Sequence, residues 1–210
     1  MALNPKSVVI EEKWNCYSHA LGVILTLIGF VFFLQKDLTE LPYLFGSIIV
    51  YSISLILLFT ASTMYHGVLN PKLKKKLRIL DHISIYYLIA GTYTPACLTI
   101  LSDSKGWLLF YLVWGIALFG TVLKLFFTGR FEVFSLVLYG IMGWLIVIDL
   151  PFLLEHVTRL QLTYLALGGT FYTIGIIFYT IKKIPYNHLI WHFFVLGGAI
   201  SHWFMIYGIV

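Results

Sequence analysis

The chain has 210 residues, of which 60% are hydrophobic, 18% aromatic and only 11% charged. A soluble domain carries about 25% charged residues and does not repeat long apolar stretches, so a soluble enzyme or binding module is excluded. The net charge of +5 does not point to nucleic acid, because the basic residues collect between apolar runs, where they set membrane orientation.

A span needs roughly 20 residues, so the chain has room for about seven spans in one domain, residues 1–210, with no domain outside the membrane. The first predicted span covers 14–34 and is too long for a signal-peptide core of about 7–15 residues. The second covers 41–67, with Pro42 near its start, where proline is tolerated. A basic loop, Asn70 to Arg78, leads to the third span at 79–101, where Pro95 predicts a bend. After a tight connection at 102–105 comes the fourth span, 106–127. Thr128-Gly129-Arg130 then turns the chain into the fifth, 131–150. A longer loop with Glu155, His156 and Arg159 precedes the sixth span at 162–181, and the seventh covers 188–208. The sequence contains no internal repeat and no low-complexity segment.

Basic residues divide unequally between the two sides of this arrangement. One side holds Lys6, Lys13, Lys72, Lys74, Lys75, Lys76, Arg78, Lys124, Arg130, Lys182 and Lys183, eleven in all. The other holds Lys36, Lys105 and Arg159, which is three. The positive-inside rule then predicts a cytoplasmic N-terminus and an outside C-terminus. Cys16 and Cys97 fall near opposite faces on this topology and read as small buried apolar residues, not as a bridge.

Intramembrane ionisable residues are expensive and mark function by default. Here they gather at one depth. Glu12, Asn15 and His19 open the first span, Ser62 and His66 close the second, Asp81 and His82 open the third, and His188 and His192 open the seventh. Interfacial positions favour lysine, arginine, tryptophan and tyrosine, so anchoring alone does not explain histidine, aspartate, serine and asparagine. His188 and His192 are four apart and share a helix face. Such a pair, joined by a third histidine from another helix, either forms a hydrogen-bonded cluster or builds the three-histidine shell of catalytic zinc. Asp81 can ligate the metal, act as general base toward water, or pair with Lys76 or Arg78. Ser62 lies four residues before His66 and can bond a ligand, water or substrate, or its own helix. His202 is ten residues past His192, roughly 15 Å deeper at 1.5 Å per residue. It is expected to make an interhelical hydrogen bond, with cavity lining as the second possibility. His156 is expected in solvent.

Glu12-x2-Asn15-x3-His19, Ser62-x3-His66 with Asp81 following, and His188-x3-His192 resemble the three signatures of the hemolysin III family. That family is grouped with the progestin and adipoQ receptors and more distantly resembles the alkaline ceramidases. Leu80 to Tyr86 and Ala90 to Pro95 are similar to its bacterial branch. The resemblance implies an all-α, seven-helix membrane fold with a cytoplasmic N-terminus in the plasma membrane. It also implies zinc on His66, His188 and His192, with Asp81 and Ser62 beside the open coordination position. Glu12, Asn15 and His19 are read as orienting the ligands or bracing their helix. The expected activity is hydrolysis of an amide or ester bond in a membrane lipid. Cytolytic pore formation and a lipid sensor with structural zinc are the alternatives.

Overall fold

A computed structural model describes residues 5–210, with side chains from residue 8 onward, so the Lys6 side chain counted above lies outside them. The described chain is helical: α1 (Pro5–Leu34), α2 (Leu44–Gly67), α3 (Pro71–Leu98), α4 (Gly106–Phe127), α5 (Glu132–Trp144), a short 3-10 segment (Leu145–Asp149), α6 (Leu150–His156), α7 (Arg159–Thr180) and α8 (Asn187–Tyr207). Short connections make sequence neighbours pack side by side, and α8 closes the bundle against α1. Six segments are long and apolar enough to cross a membrane: Val8–Leu34, Leu44–Gly67, Gly106–Phe127, Glu132–His156, Arg159–Thr180 and Asn187–Tyr207. Their outward faces carry exposed large apolar side chains such as Leu118, Phe126 and Val133, as a lipid-facing surface requires.

α3 is the exception in composition. It is 28 residues long, but it opens on Lys72, Lys74, Lys75, Lys76 and Arg78 and carries Asp81 and His82 further on. Its polarity follows from its place. It packs against α2, α4, α5 and α8 and buries thirteen residues, so little of it needs to be compatible with lipid. The basic stretch expected as a loop is in fact its first turns. The Asn70 side chain accepts the backbone N–H groups of Lys72 and Leu73, and Pro71 takes the first helical position, where its missing N–H costs nothing.

The fifth span also differs from expectation. Its helix runs beyond Pro151 to His156 and contains a 3-10 break at Leu145–Asp149. The break frees backbone groups that a membrane interior must satisfy. Tyr93 of α3 supplies the partner: its hydroxyl donates to the Gly143 carbonyl at 3.1 Å and accepts the Ile146 N–H at 2.9 Å. The longer loop shrinks to Val157 and Thr158, where Thr158 and Gln161 form a reciprocal capping box at the start of α7. His156 ends α6, exposed and stacked on Phe152 at 3.8 Å.

Two apolar clusters fill the interior. One joins α1, α2 and α8 around Phe33, Tyr51, Phe59 and Leu196; the other joins α3 to α4, α5 and α6 around Tyr86, Leu109, Val113 and Leu153.

Candidate metal centre and its cavity

α8 begins where Tyr186 takes a left-handed φ of 56° and the Asn187 amide donates to the Phe178 carbonyl at the end of α7. The Glu11 carboxylate accepts the His188 backbone N–H at 3.2 Å, where an anion meets the positive end of the helix. One turn later, His192 lies over His188 with ring centroids 4.8 Å apart. From α2, His66 closes the group at 5.0 Å from His188 and 4.9 Å from His192. The three offer one ligand atom each, all within 4.8 Å of one another, and this group can hold a metal ion.

Two of the rings are oriented by their second nitrogen. His192 Nδ1 lies 3.1 Å from the Asn15 carbonyl, which can only accept, so Nδ1 carries the proton and Nε2 keeps its lone pair. Ser18 Oγ sits 3.0 Å from the same Nδ1 and itself donates to the Asn15 carbonyl at 2.9 Å. His66 Nδ1 donates to Glu12 Oε2 at 3.3 Å, and its Nε2 is buried without a protein partner. Lys74 of α3 binds the same carboxylate oxygen. His19 stacks face to face on His192, with centroids 3.6 Å apart and planes within 9°, and meets Phe59 edge-on from the other side.

His188 and His192 also face a cavity of about 180 Å³ bounded mainly by α3, α5, α7 and α8. Ser62 and Asp81 line it close to the histidines. Asp81 is buried and makes no salt bridge among the described residues, while Arg78, one of its candidate partners, binds Glu132 at 3.2 Å. Glu132 also receives the buried Lys124 at 2.9 Å. Unlike Ser54 and Thr63, Ser62 makes no bond to its own helix backbone among the described residues. Beyond this end the wall turns apolar, through Leu58, Ile85, Leu88 and Val195, and reaches Tyr172 and His202.

The family profile described as Haemolysin-III related matches residues 8–203. The chain belongs to the haemolysin III family. It is 40% identical to Hemolysin-3 of Bacillus cereus over 201 residues, covering 94% of this chain and 91% of that protein. It is equally identical to the Hemolysin-3 homolog of Bacillus subtilis (strain 168) over 197 residues, 93% of this chain and 92% of that one. A more distant likeness, 29% over 219 residues, covers 96% of this chain and 85% of the human monocyte to macrophage differentiation factor. No solved structure matches the chain. These relationships make it a multi-pass membrane protein of bacterial type and agree with the wider grouping that includes the adipoQ receptors.

In this haemolysin III protein Glu12, Asn15, His19, Ser62, His66, Asp81, His188 and His192 fall in one neighbourhood, though not always in the expected manner. Glu12 reaches His66 through its side chain, whereas Asn15 reaches His192 through its backbone and leaves its own Oδ1 unpartnered. His202 lines the cavity, which was the second possibility. The expected interhelical hydrogen bond is not formed: the ring lies beside the Leu165 backbone, but neither nitrogen has a well-formed partner. Ser18, Glu11 and Lys74 join the site without belonging to any of the sequence signatures. Ser18 carried a faint signal, standing one turn from Asn15 and next to His19.

Proposed function

We propose that this haemolysin III protein is a zinc-dependent hydrolase that cleaves an amide or ester bond of a membrane lipid. In this reading it has seven spans, with a cytoplasmic N-terminus and an outside C-terminus. The span beyond the six apolar ones is the third, the 79–98 part of α3, whose 20 residues extend about 30 Å. The eleven-to-three division of basic residues supports the orientation.

One observation carries the activity: two of three converging imidazoles, His188 and His192, border a cavity that is apolar in its middle and holds one carboxylate, Asp81, beside them. The donor set fits zinc. Imidazole nitrogens such as those of His66, His188 and His192 are ligands that zinc takes, and a buried, unpartnered His66 Nε2 is an atom awaiting a partner. Nitrogens sharing one zinc lie roughly 3–4 Å apart at bonds of about 2.0–2.1 Å, so the ring ends need only a small convergence. Zinc supplies Lewis acidity, polarising a carbonyl and acidifying water.

The chain's own residues do the rest. Asp81 takes the proton of the attacking water and returns it to the departing amine or alcohol as the C–N or C–O bond breaks. Ser62 hydrogen-bonds the reacting carbonyl or the Asp81 carboxylate. Glu12, the Asn15 carbonyl, Ser18 and the His19 ring hold the imidazoles in place. The apolar wall receives the acyl chain.

Metal analysis of the purified protein beside a mass-spectrometric screen of lipid products tests this. Wild type is expected to carry about one zinc and to release a product from a ceramide, an ester or an acyl amide. His66→Ala loses the metal, and Asp81→Asn keeps it while turnover falls about 10²–10⁴-fold. Zinc bound without any product sinks the hydrolase and leaves a lipid sensor with structural zinc.

The name hemolysin attached to the Bacillus cereus relative favours a second reading, lysis. A pore needs a polar lining through the whole bilayer, and the apolar middle of this cavity does not supply it within one chain. Dye release from liposomes that persists in His188→Ala and His192→Ala would support lysis.

A further inference from the structure

The end of the cavity farthest from the histidines is polar, and the chemistry above makes no use of it. Tyr172 and His202 line it, and neither the tyrosine hydroxyl nor either imidazole nitrogen has a protein hydrogen-bond partner. Tyr51 is fully buried in the apolar cluster on which Tyr172 packs, within electrostatic range of it, and its hydroxyl is likewise unpartnered. Three other hydroxyls along the wall are satisfied inside the protein: Thr92 donates to Leu88, Thr173 to Gly169 and Tyr93 to Gly143. A buried hydroxyl or imidazole without a partner carries the full cost of leaving water, so the two that line the cavity call for a ligand.

The rings cannot turn away to find partners elsewhere. His202 lies against Gly168 of α7, and Tyr172 lies against Gly198 of α8; a Cβ at either glycine would overlap the ring it faces. Each helix therefore holds the other's polar ring over the cavity.

We propose that Tyr172 and His202, with Tyr51 behind them, form a subsite for a hydroxyl group carried midway along a lipid acyl chain. The proposal rests on the reading of the cavity as a lipid site. None of the three side chains is a fixed charge, which argues against a carboxylate or phosphate at this end. An imidazole with one protonated nitrogen offers one donor and one acceptor, and the Tyr172 hydroxyl can donate. A ligand group that both accepts and donates is a hydroxyl. The ten residues from His192 to His202 set the separation from the metal centre at roughly 15 Å, and the wall between them is apolar. That is the geometry of a chain with its head at the histidines and a hydroxyl near its middle.

Ricinoleic acid and oleic acid differ by one such mid-chain hydroxyl and are the probes. Native mass spectrometry of the detergent-solubilised protein with an equimolar mixture reads the ratio of bound lipids, which is insensitive to a partly inactive preparation. Wild type is expected to prefer ricinoleate about three- to tenfold, as one net hydrogen bond implies. Tyr172→Phe and His202→Leu are each expected to bring the ratio close to unity. Tyr172→Phe deletes only an unpaired hydroxyl, so its unliganded melting temperature should be unchanged or higher. Equal binding of both acids to wild type overturns the subsite and leaves the lipid cavity standing. A preference that survives both substitutions also overturns it, and binding of neither acid overturns subsite and cavity together.

Discussion

His192 is held at two places: at Nδ1 by the Asn15 carbonyl and the Ser18 hydroxyl, and on the flat of its ring by His19. His66 is held by Glu12, which Lys74 also binds. Removing such outer contacts commonly lowers metal affinity 10–100-fold, so Glu12→Gln should weaken zinc binding by about that factor in chelator competition. Ser18→Ala should cost less, because the Asn15 carbonyl remains. The ligand pair was readable from its four-residue spacing, and His66 from its depth. Ser18 and Glu11 were not, since a side chain that reaches from one helix to another leaves no local pattern. Nor could the Asn15 contact be read, because any residue at that position would present the same carbonyl.

At the scale of helices, the α7–α8 contact is an interlock of rings into glycines. Gly168→Ala would drive a methyl into the His202 ring, and overpacking of this kind costs typically about 1–3 kcal/mol. Thermal unfolding in detergent should show a lowered melting temperature, in contrast to Gly115→Ala, where nothing lies within reach of the new methyl. The apolar runs at 41–67, 106–127, 162–181 and 188–208 coincide with α2, α4, α7 and α8 to within three residues. The run at 79–101 misplaced the start of α3 because its first turns are basic, although the Asn70-Pro71 cap stood in the sequence. The continuation past Pro151 was hidden for a different reason. Helix there depends on Tyr93, which lies fifty residues away and fills the gap left in the backbone ladder.

For the molecule as a whole, the imbalance of basic residues predicts an orientation that can be measured. With Cys16 and Cys97 replaced, a single cysteine at Lys75→Cys should resist a membrane-impermeant maleimide added to intact cells. Asp103→Cys should react. The reverse pattern would invert the proposed topology. The polarity of α3 has a further consequence, for biosynthesis. Ionisable groups within a span are costly to insert, and α3 brings Asp81 and His82 after five basic residues. Offered alone to the insertion machinery, α3 should enter the bilayer poorly. Offered between α2 and α4, which cover its polar sides, it should enter efficiently. Glycosylation reporters on the isolated helix and on the three-helix segment would measure the difference. A helix this central to the candidate site would then be one that the membrane accepts only in the company of its neighbours.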